Sequence, residues 1–182
     1  MATGDSTTRL AVLRGNSGSG KSTTAKELRR RVGTGVAWVE QDYLRRTLLR
    51  EHCRDGAPNI GLIDLAARYA LDSGYHVVLE GGLYEPQYGE MVRQLVADHL
   101  GVTGVYYFQI PFEETVQRHL TKPLASEVMV EKLREWYQPE DFLGVRGEQI
   151  IGAASTVEET VDRIVADLDW RSGGGVSNPV EG

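Results

Sequence analysis

Short apolar runs alternate along the chain with longer segments whose apolar positions recur every three or four residues. The runs predict strands at about 9–14, 36–40, 76–80, 104–109 and 148–151. The periodic segments predict helices at about 21–32, 43–51, 60–73, 87–99, 112–120 and 156–169. Uniformly apolar strands separated by helices are typical of a parallel sheet covered on both faces. The pattern therefore predicts a three-layer α/β/α sandwich with a five-stranded parallel sheet.

Two segments interrupt this alternation. Residues at about 119–137 are polar, contain Pro123 and include only a short amphipathic stretch, which indicates a lid over a binding site. Residues 171–182, RSGGGVSNPVEG, have no periodic apolar face, so we expect a disordered tail. The sequence thus predicts one domain over residues 1–170.

Composition narrows the class of protein. The 182 residues are 41% hydrophobic, without an apolar run near the roughly 20 residues that a membrane-spanning helix needs. With this and a single cysteine, Cys53, we expect a cytoplasmic protein with no membrane partner. The net charge is −6, and residues 1–50 carry +6 against −12 for the rest. An acidic chain without an extended basic stripe is a poor candidate for nucleic-acid binding.

The segment between the first strand and the first helix carries the clearest chemistry. It reads GNSGSGKST and matches G-x-x-x-x-G-K-[ST], the phosphate-binding loop or P-loop. Glycines let successive N–H groups turn toward one anion, and the helix N-terminus adds its positive end. Lys21, a candidate catalytic residue, is then placed to reach the β- and γ-phosphates of ATP, and the Ser22 hydroxyl to bind Mg²⁺. The predicted nucleotide-binding residues of this loop are Gly15, Asn16, Ser17, Gly18, Ser19, Gly20, Lys21, Ser22 and Thr23.

Polar residues follow the second and third strands, at the sheet edge where ligands of open parallel sheets bind. Asp42 follows the second strand and is a candidate catalytic residue that orients and deprotonates an acceptor hydroxyl. Its structural alternative is a helix cap, and the two roles are compatible. Glu80 ends the third strand and is a candidate for Mg²⁺ or for acceptor hydroxyls. The predicted acceptor-binding residues are Asp42, Arg46, Glu80, Gly81, Gly82 and Tyr84.

The predicted lid supplies cationic candidates. Arg118, at the start of the lid, is placed to stack on adenine. Arg134, a candidate catalytic residue, is placed to reach the transferring phosphate, and so is Lys122. The alternative is that Arg118 complements a helix C-terminus and that Arg134 lies on the surface of a helix.

With these residues in place, the chain resembles the P-loop small-molecule kinases, the group that includes shikimate kinase, gluconate kinase and chloramphenicol phosphotransferase. The P-loop, Asp42, the glycines at 81 and 82, and Arg118 carry the resemblance over roughly residues 8–170. It implies the sheet order 2-3-1-4-5, an acceptor-contacting role for Asp42 and a lid opened by Arg118.

The leading interpretation is an enzyme, an ATP-dependent kinase that phosphorylates a hydroxyl of a small metabolite or antibiotic. A polynucleotide 5′-kinase or a zeta-toxin-like sugar-nucleotide kinase shares the loop, the acid and the lid. A nucleotide switch or ATPase is the alternative from another class, although the chain lacks an N/T-K-x-D or LSGGQ-like motif. The sequence identifies neither the acceptor nor the oligomeric state.

Overall fold

Apolar runs that are buried on both faces form the sheet. In a computed structural model, which describes residues 1–52, 54, 56–120 and 130–170, these runs are parallel strands. They are β1 (Arg9–Gly15), β2 (Val36–Glu40), β3 (His76–Gly81), β4 (Val102–Gln109) and β5 (Gln149–Gly152). The order is β2-β3-β1-β4-β5, which confirms the predicted fold and the order implied by the resemblance.

The helices fill the connections between strands. They are α1 (Lys21–Val32), α2 (Pro58–Asp72), α3 (Glu85–Asp98), α4 (Phe112–Leu120), α5 (Val130–Trp136) and α6 (Val157–Asp167). α2 and α3 each begin two residues earlier than predicted, because a proline occupies their first turn, where its missing N–H costs nothing. α6 starts at a capping box in which the Glu159 amide donates to Thr156 Oγ1 at 3.1 Å.

Two predicted features differ from the structure or lie beyond it. The segment predicted as a helix at 43–51 is a π-helical turn, Tyr43–Leu48. The predicted lid contains α5, but its residues 121–129, with Lys122, lie outside the described residues, as do Cys53 and the predicted tail.

Alternate residues of the central strand face the two helical layers. Ala11 and Leu13 belong to the core under α1 and α6, whereas Leu10 and Val12 belong to the core under α2 and α3. All four are fully buried. Burial on both faces fixes the strand in the sheet, so the loop that follows it starts from a rigid support. Within the described part of the chain, no helix is long and apolar enough to cross a membrane.

Candidate active site

The P-loop lies between β1 and α1 at the carboxyl edge of the sheet. Three of its glycines have left-handed backbone, with φ of 136° at Gly15, 80° at Gly18 and 102° at Gly20. A Cβ atom on Gly18 would lie 2.6 Å from the Thr115 carbonyl oxygen. Both the backbone angle and the close approach require glycine at that position.

Lys21 and Ser22 begin α1 and face the cleft. Lys21 is nearly buried, and its Nζ donates to the Asn16 carbonyl at 2.8 Å and to Ser19 Oγ at 3.3 Å. The Ser22 hydroxyl donates to Glu80 Oε1 at 3.0 Å. The two residues predicted to bind Mg²⁺ are therefore in direct contact.

Asn16 uses its side chain elsewhere than the sequence suggests. Its Nδ2 donates to the Gln138 carbonyl at 2.7 Å, and its Oδ1 accepts from the Gln138 amide at 2.8 Å. This reciprocal pair fastens the P-loop to the segment that follows α5. The backbone of Asn16 remains part of the loop, but its side-chain amide binds the Gln138 backbone rather than a nucleotide.

A cleft of about 760 Å³ extends from the P-loop across the ends of β3 and β2. Of the nine predicted P-loop residues, four line it, Ser17, Gly18, Lys21 and Ser22, and five do not, Gly15, Asn16, Ser19, Gly20 and Thr23. Every predicted acceptor-binding residue lines it: Asp42, Arg46, Glu80, Gly81, Gly82 and Tyr84. Its volume lies within the range of small-molecule sites.

Asp42 directly precedes the π-helical turn and pairs with two arginines. Its Oδ1 accepts from Arg45 Nη2 at 2.7 Å and from Arg46 Nε at 3.1 Å. The side chain is half exposed and makes no cap hydrogen bond to the turn, so the capping alternative lacks its defining contact.

Glu40 is a site residue that the sequence reading missed. It is the register partner of Glu80 on the neighbouring strand, and both line the cleft. Partial burial raises the pKa of Glu40, and the charges of Glu80 and Asp42 raise it further. Its position two residues before Asp42, at a strand end, was the available signal.

A buried polar chain supports the glycine pair. The Gly82 amide donates to Gln41 Oε1 at 3.1 Å, Gln41 Nε2 to the Tyr88 hydroxyl at 3.0 Å, and that hydroxyl to Asn59 Oδ1 at 2.8 Å. A Cβ on Gly81 would lie 2.5 Å from Gln41 Cβ, so the glycine is needed for this packing. Sequence reasoning missed the chain because its members lie on four separate elements.

The two arginines predicted for the lid, Arg118 and Arg134, lie outside the cleft lining. Arg118 Nη1 donates to the Ser19 carbonyl at 3.2 Å and Nη2 to the Ala153 carbonyl at 3.4 Å, so it bridges the P-loop and the segment after β5. Arg134 stacks over the Phe112 ring with 4.3 Å between its Cζ and the ring centroid. Reaching a phosphate requires Arg134 to leave that ring.

The residues present fit a nucleotide with Mg²⁺. Across the described residues, no group of three or more His, Cys, Asp or Glu side chains could hold a metal ion alone. A P-loop site does not need one, since the hydroxyl, the phosphates and water supply most of the oxygen ligands. Ser22 and Glu80 offer the hard oxygen donors that Mg²⁺ prefers.

Comparison with known proteins agrees with this geometry. The model of a family described as AAA domain matches residues 10–138. An uncharacterised protein of Mycobacterium tuberculosis is 36% identical over 107 residues, which are 50% of this chain and 21% of that protein. The chain thus spans about a fifth of the length of this curated relative.

Two solved structures share the fold. An APS kinase of Mycobacterium tuberculosis, in complex with AMPPNP and APS, has a TM-score of 0.69 at 17% identity, over 93% of this chain and 99% of that one. A sugar kinase from Janibacter has a TM-score of 0.65 at 17% identity, over 93% and 99%.

Proposed function

We propose that this chain, which belongs to the AAA domain family, is an ATP-dependent phosphotransferase that moves the γ-phosphate of ATP to a hydroxyl of a small molecule. The observation that carries the proposal is one continuous cleft that joins the P-loop to the carboxylates at the ends of β2 and β3. An ATPase or a switch needs the P-loop but not an adjoining space for a second substrate. The kinase names of the structural neighbours support the same reaction class.

The nucleotide half of the site consists of the P-loop and the start of α1. Its backbone N–H groups and Lys21 hold the phosphates, which keeps the transferring group in line with an acceptor. Ser22 and Glu80 would hold Mg²⁺, which supplies positive charge that neutralises the phosphate oxygens. Arg118, which bridges the P-loop and the segment after β5, is our candidate for contact with the base.

The acceptor half is formed by the ends of β2 and β3. Asp42 accepts the proton of the attacking hydroxyl while the new O–P bond forms and the bond to the leaving ADP breaks. Gly81 and Gly82 let the acceptor approach the backbone, and Tyr84 forms its side wall. Arg134 contributes charge to the transferring phosphate when the lid closes.

The test is an ADP-release assay with magnesium-ATP and a panel of sugars, metabolites, nucleosides, antibiotics and a short 5′-hydroxyl oligonucleotide. We expect at least one small hydroxyl compound to stimulate ADP release, and Asp42→Asn to abolish that stimulation while AMPPNP still binds. Asp162→Asn, which changes an exposed carboxylate on α6, is the matched control. Stimulation by the oligonucleotide alone would favour the polynucleotide kinase, and no stimulation by any compound would contradict the proposal.

A further inference from the structure

Three arginines line the cleft on the side of the turn that follows β2. Arg45 and Arg46 belong to the π-helical turn after β2, and Arg50 lies just beyond it; we call these three residues the arginine wall. β2 is two positions from β1 in the sheet. At about 4.8 Å per inter-strand spacing, β2, which leads into the wall, lies roughly 10 Å from the P-loop strand. A small molecule can span that distance with its hydroxyl at one end.

Arg45 is buried with part of its guanidinium unsatisfied. Only 9% of the residue is exposed, Nη2 donates to Asp42 and Nη1 to the Glu51 carbonyl at 3.3 Å. Its Nε is buried and has no hydrogen-bond partner among the described residues. A buried donor without an acceptor is costly, so an oxyanion that draws the Arg45 guanidinium toward the cleft would be favoured.

The other two arginines of the wall, Arg46 and Arg50, add positive charge. Arg46 shares the same Asp42 Oδ1 as Arg45, and its guanidinium lies 5.8 Å from the Trp136 ring centroid. Arg50 has a strained left-handed backbone, with φ of 52°, and forms no ion pair within the described ranges. Strain of this kind at a site commonly accompanies function.

The side-chain carboxylate of the nearby Glu51 contacts residues other than the three arginines of the wall. Its Oε2 accepts from the amide and the side chain of Asn59 at 3.0 Å, and its Oε1 lies 3.6 Å from Arg54. Of the wall's three cations, Arg45 and Arg46 therefore share one carboxylate, Asp42, and Arg50 pairs with none of the described carboxylates.

We propose that the acceptor carries an oxyanion group, a phosphate, sulfate or carboxylate, which binds the arginine wall and takes Arg45 and Arg46 from Asp42. This inference rests on the proposed phosphotransferase function. Guanidinium groups match oxyanions in shape and charge, so a bound anion can replace the carboxylate that now occupies them. Asp42 Oδ1, freed of its two arginine bonds, then accepts the proton of the acceptor hydroxyl. The acceptor's own charge thus releases Asp42 Oδ1 from its two arginine bonds when the acceptor binds.

The test measures binding of inorganic phosphate to protein saturated with magnesium-AMPPNP, so that the P-loop is already filled. Titration calorimetry at constant ionic strength should show one phosphate site. In the double variant Arg46→Gln/Arg50→Gln the affinity should fall at least tenfold, whereas Arg30→Gln, an exposed arginine on α1, should leave it unchanged. Sulfate and acetate titrations then distinguish the classes of oxyanion.

Competition with Asp42 has its own signature. Asp42→Asn should tighten phosphate binding at least fivefold, because the anion no longer displaces a carboxylate. Glu135→Gln removes an equal charge from another residue of the same cleft and should have a smaller effect. Absence of phosphate binding, or equal binding in wild type and the double variant, would overturn the inference. Equal effects of Asp42→Asn and Glu135→Gln would overturn its release step. Failure of AMPPNP itself to bind would instead remove the proposed function.

Discussion

Arg14 is a fully buried charged residue, and its ion pairs give the sharpest stability prediction. It lies on β1 directly before the P-loop, and its Nη2 donates to Asp141 Oδ2 at 2.6 Å and to the Leu83 carbonyl at 3.1 Å. Its Nη1 contacts Glu148 Oε1 at 3.1 Å. Asp141 also accepts from the Glu85 amide at 3.1 Å, so the network joins β1 to the acceptor side of the cleft.

We expect Asp141→Ala to destabilise the protein by about 3 kcal/mol, since breaking a buried ion pair costs about 3–5 kcal/mol and Glu148 remains as a partner. Burial raises the pKa of Asp141 because the charged carboxylate loses solvation, and the Arg14 charge opposes that shift. Keeping this carboxylate ionised in the folded protein therefore carries a desolvation cost. That cost places the effect at the lower end of the range. At about 2–4 °C per kcal/mol for a domain of this size, Tm should fall by roughly 6–12 °C.

The assay is urea unfolding followed by circular dichroism, with a thermal scan of the same samples. Asp162→Ala is the control, because it breaks an exposed ion pair with Arg31 at 2.9 Å and should change stability by at most about 0.5 kcal/mol. A loss below about 1 kcal/mol for Asp141→Ala, or a loss equal to that of the control, would refute the reasoning.

Three further predictions concern the P-loop and two titrating groups. Gly18→Ala should weaken AMPPNP binding at least tenfold in calorimetry, because its Cβ would meet the Thr115 carbonyl; unchanged affinity would contradict this. Burial, with the Glu80 charge, raises the pKa of Glu40, so folding favours its protonated form and its ionisation costs stability above that raised pKa. Glu40→Gln should therefore be more stable than wild type at pH 8, with a gain in urea unfolding that shrinks as pH falls toward the ordinary glutamate range; a pH-independent difference would be inconsistent with it. Burial lowers the pKa of His99 from 6.5 to about 4, so only the unfolded chain gains its proton between these values. Stability should fall as pH drops through this window, and His99→Gln should flatten the fall; an equal slope in both proteins would argue against the burial explanation.

Sequence predicted the elements well because each signal is local. Uniformly apolar strands and periodic helices gave every strand and most helices to within about two residues, and the P-loop is contiguous. The π-helical turn was predicted as an ordinary helix, since Tyr43–Leu48 differs from one only in hydrogen-bond spacing. The sheet order came from the resemblance rather than from the pattern.

Side-chain pairings between residues far apart in the chain could not be predicted from the sequence. In the sequence, Arg14 contributed only to the net charge of residues 1–50, because its partners Asp141 and Glu148 lie more than 120 residues away. Glu40 was read as a strand end, since its closeness to Glu80 depends on the register of two parallel strands. The contacts of Asp42 with residues three and four positions later were within reach, because helical spacing brings such side chains together.

The measurement that tests the central claim most directly is the fate of the γ-phosphate. Protein is incubated with magnesium-ATP labelled at that position and with the acceptor found in the screen, and the products are separated. The account predicts one phosphorylated acceptor for each ADP formed, with transfer lost in Asp42→Asn. Recovery of the label as inorganic phosphate, with no phosphorylated acceptor, would contradict it.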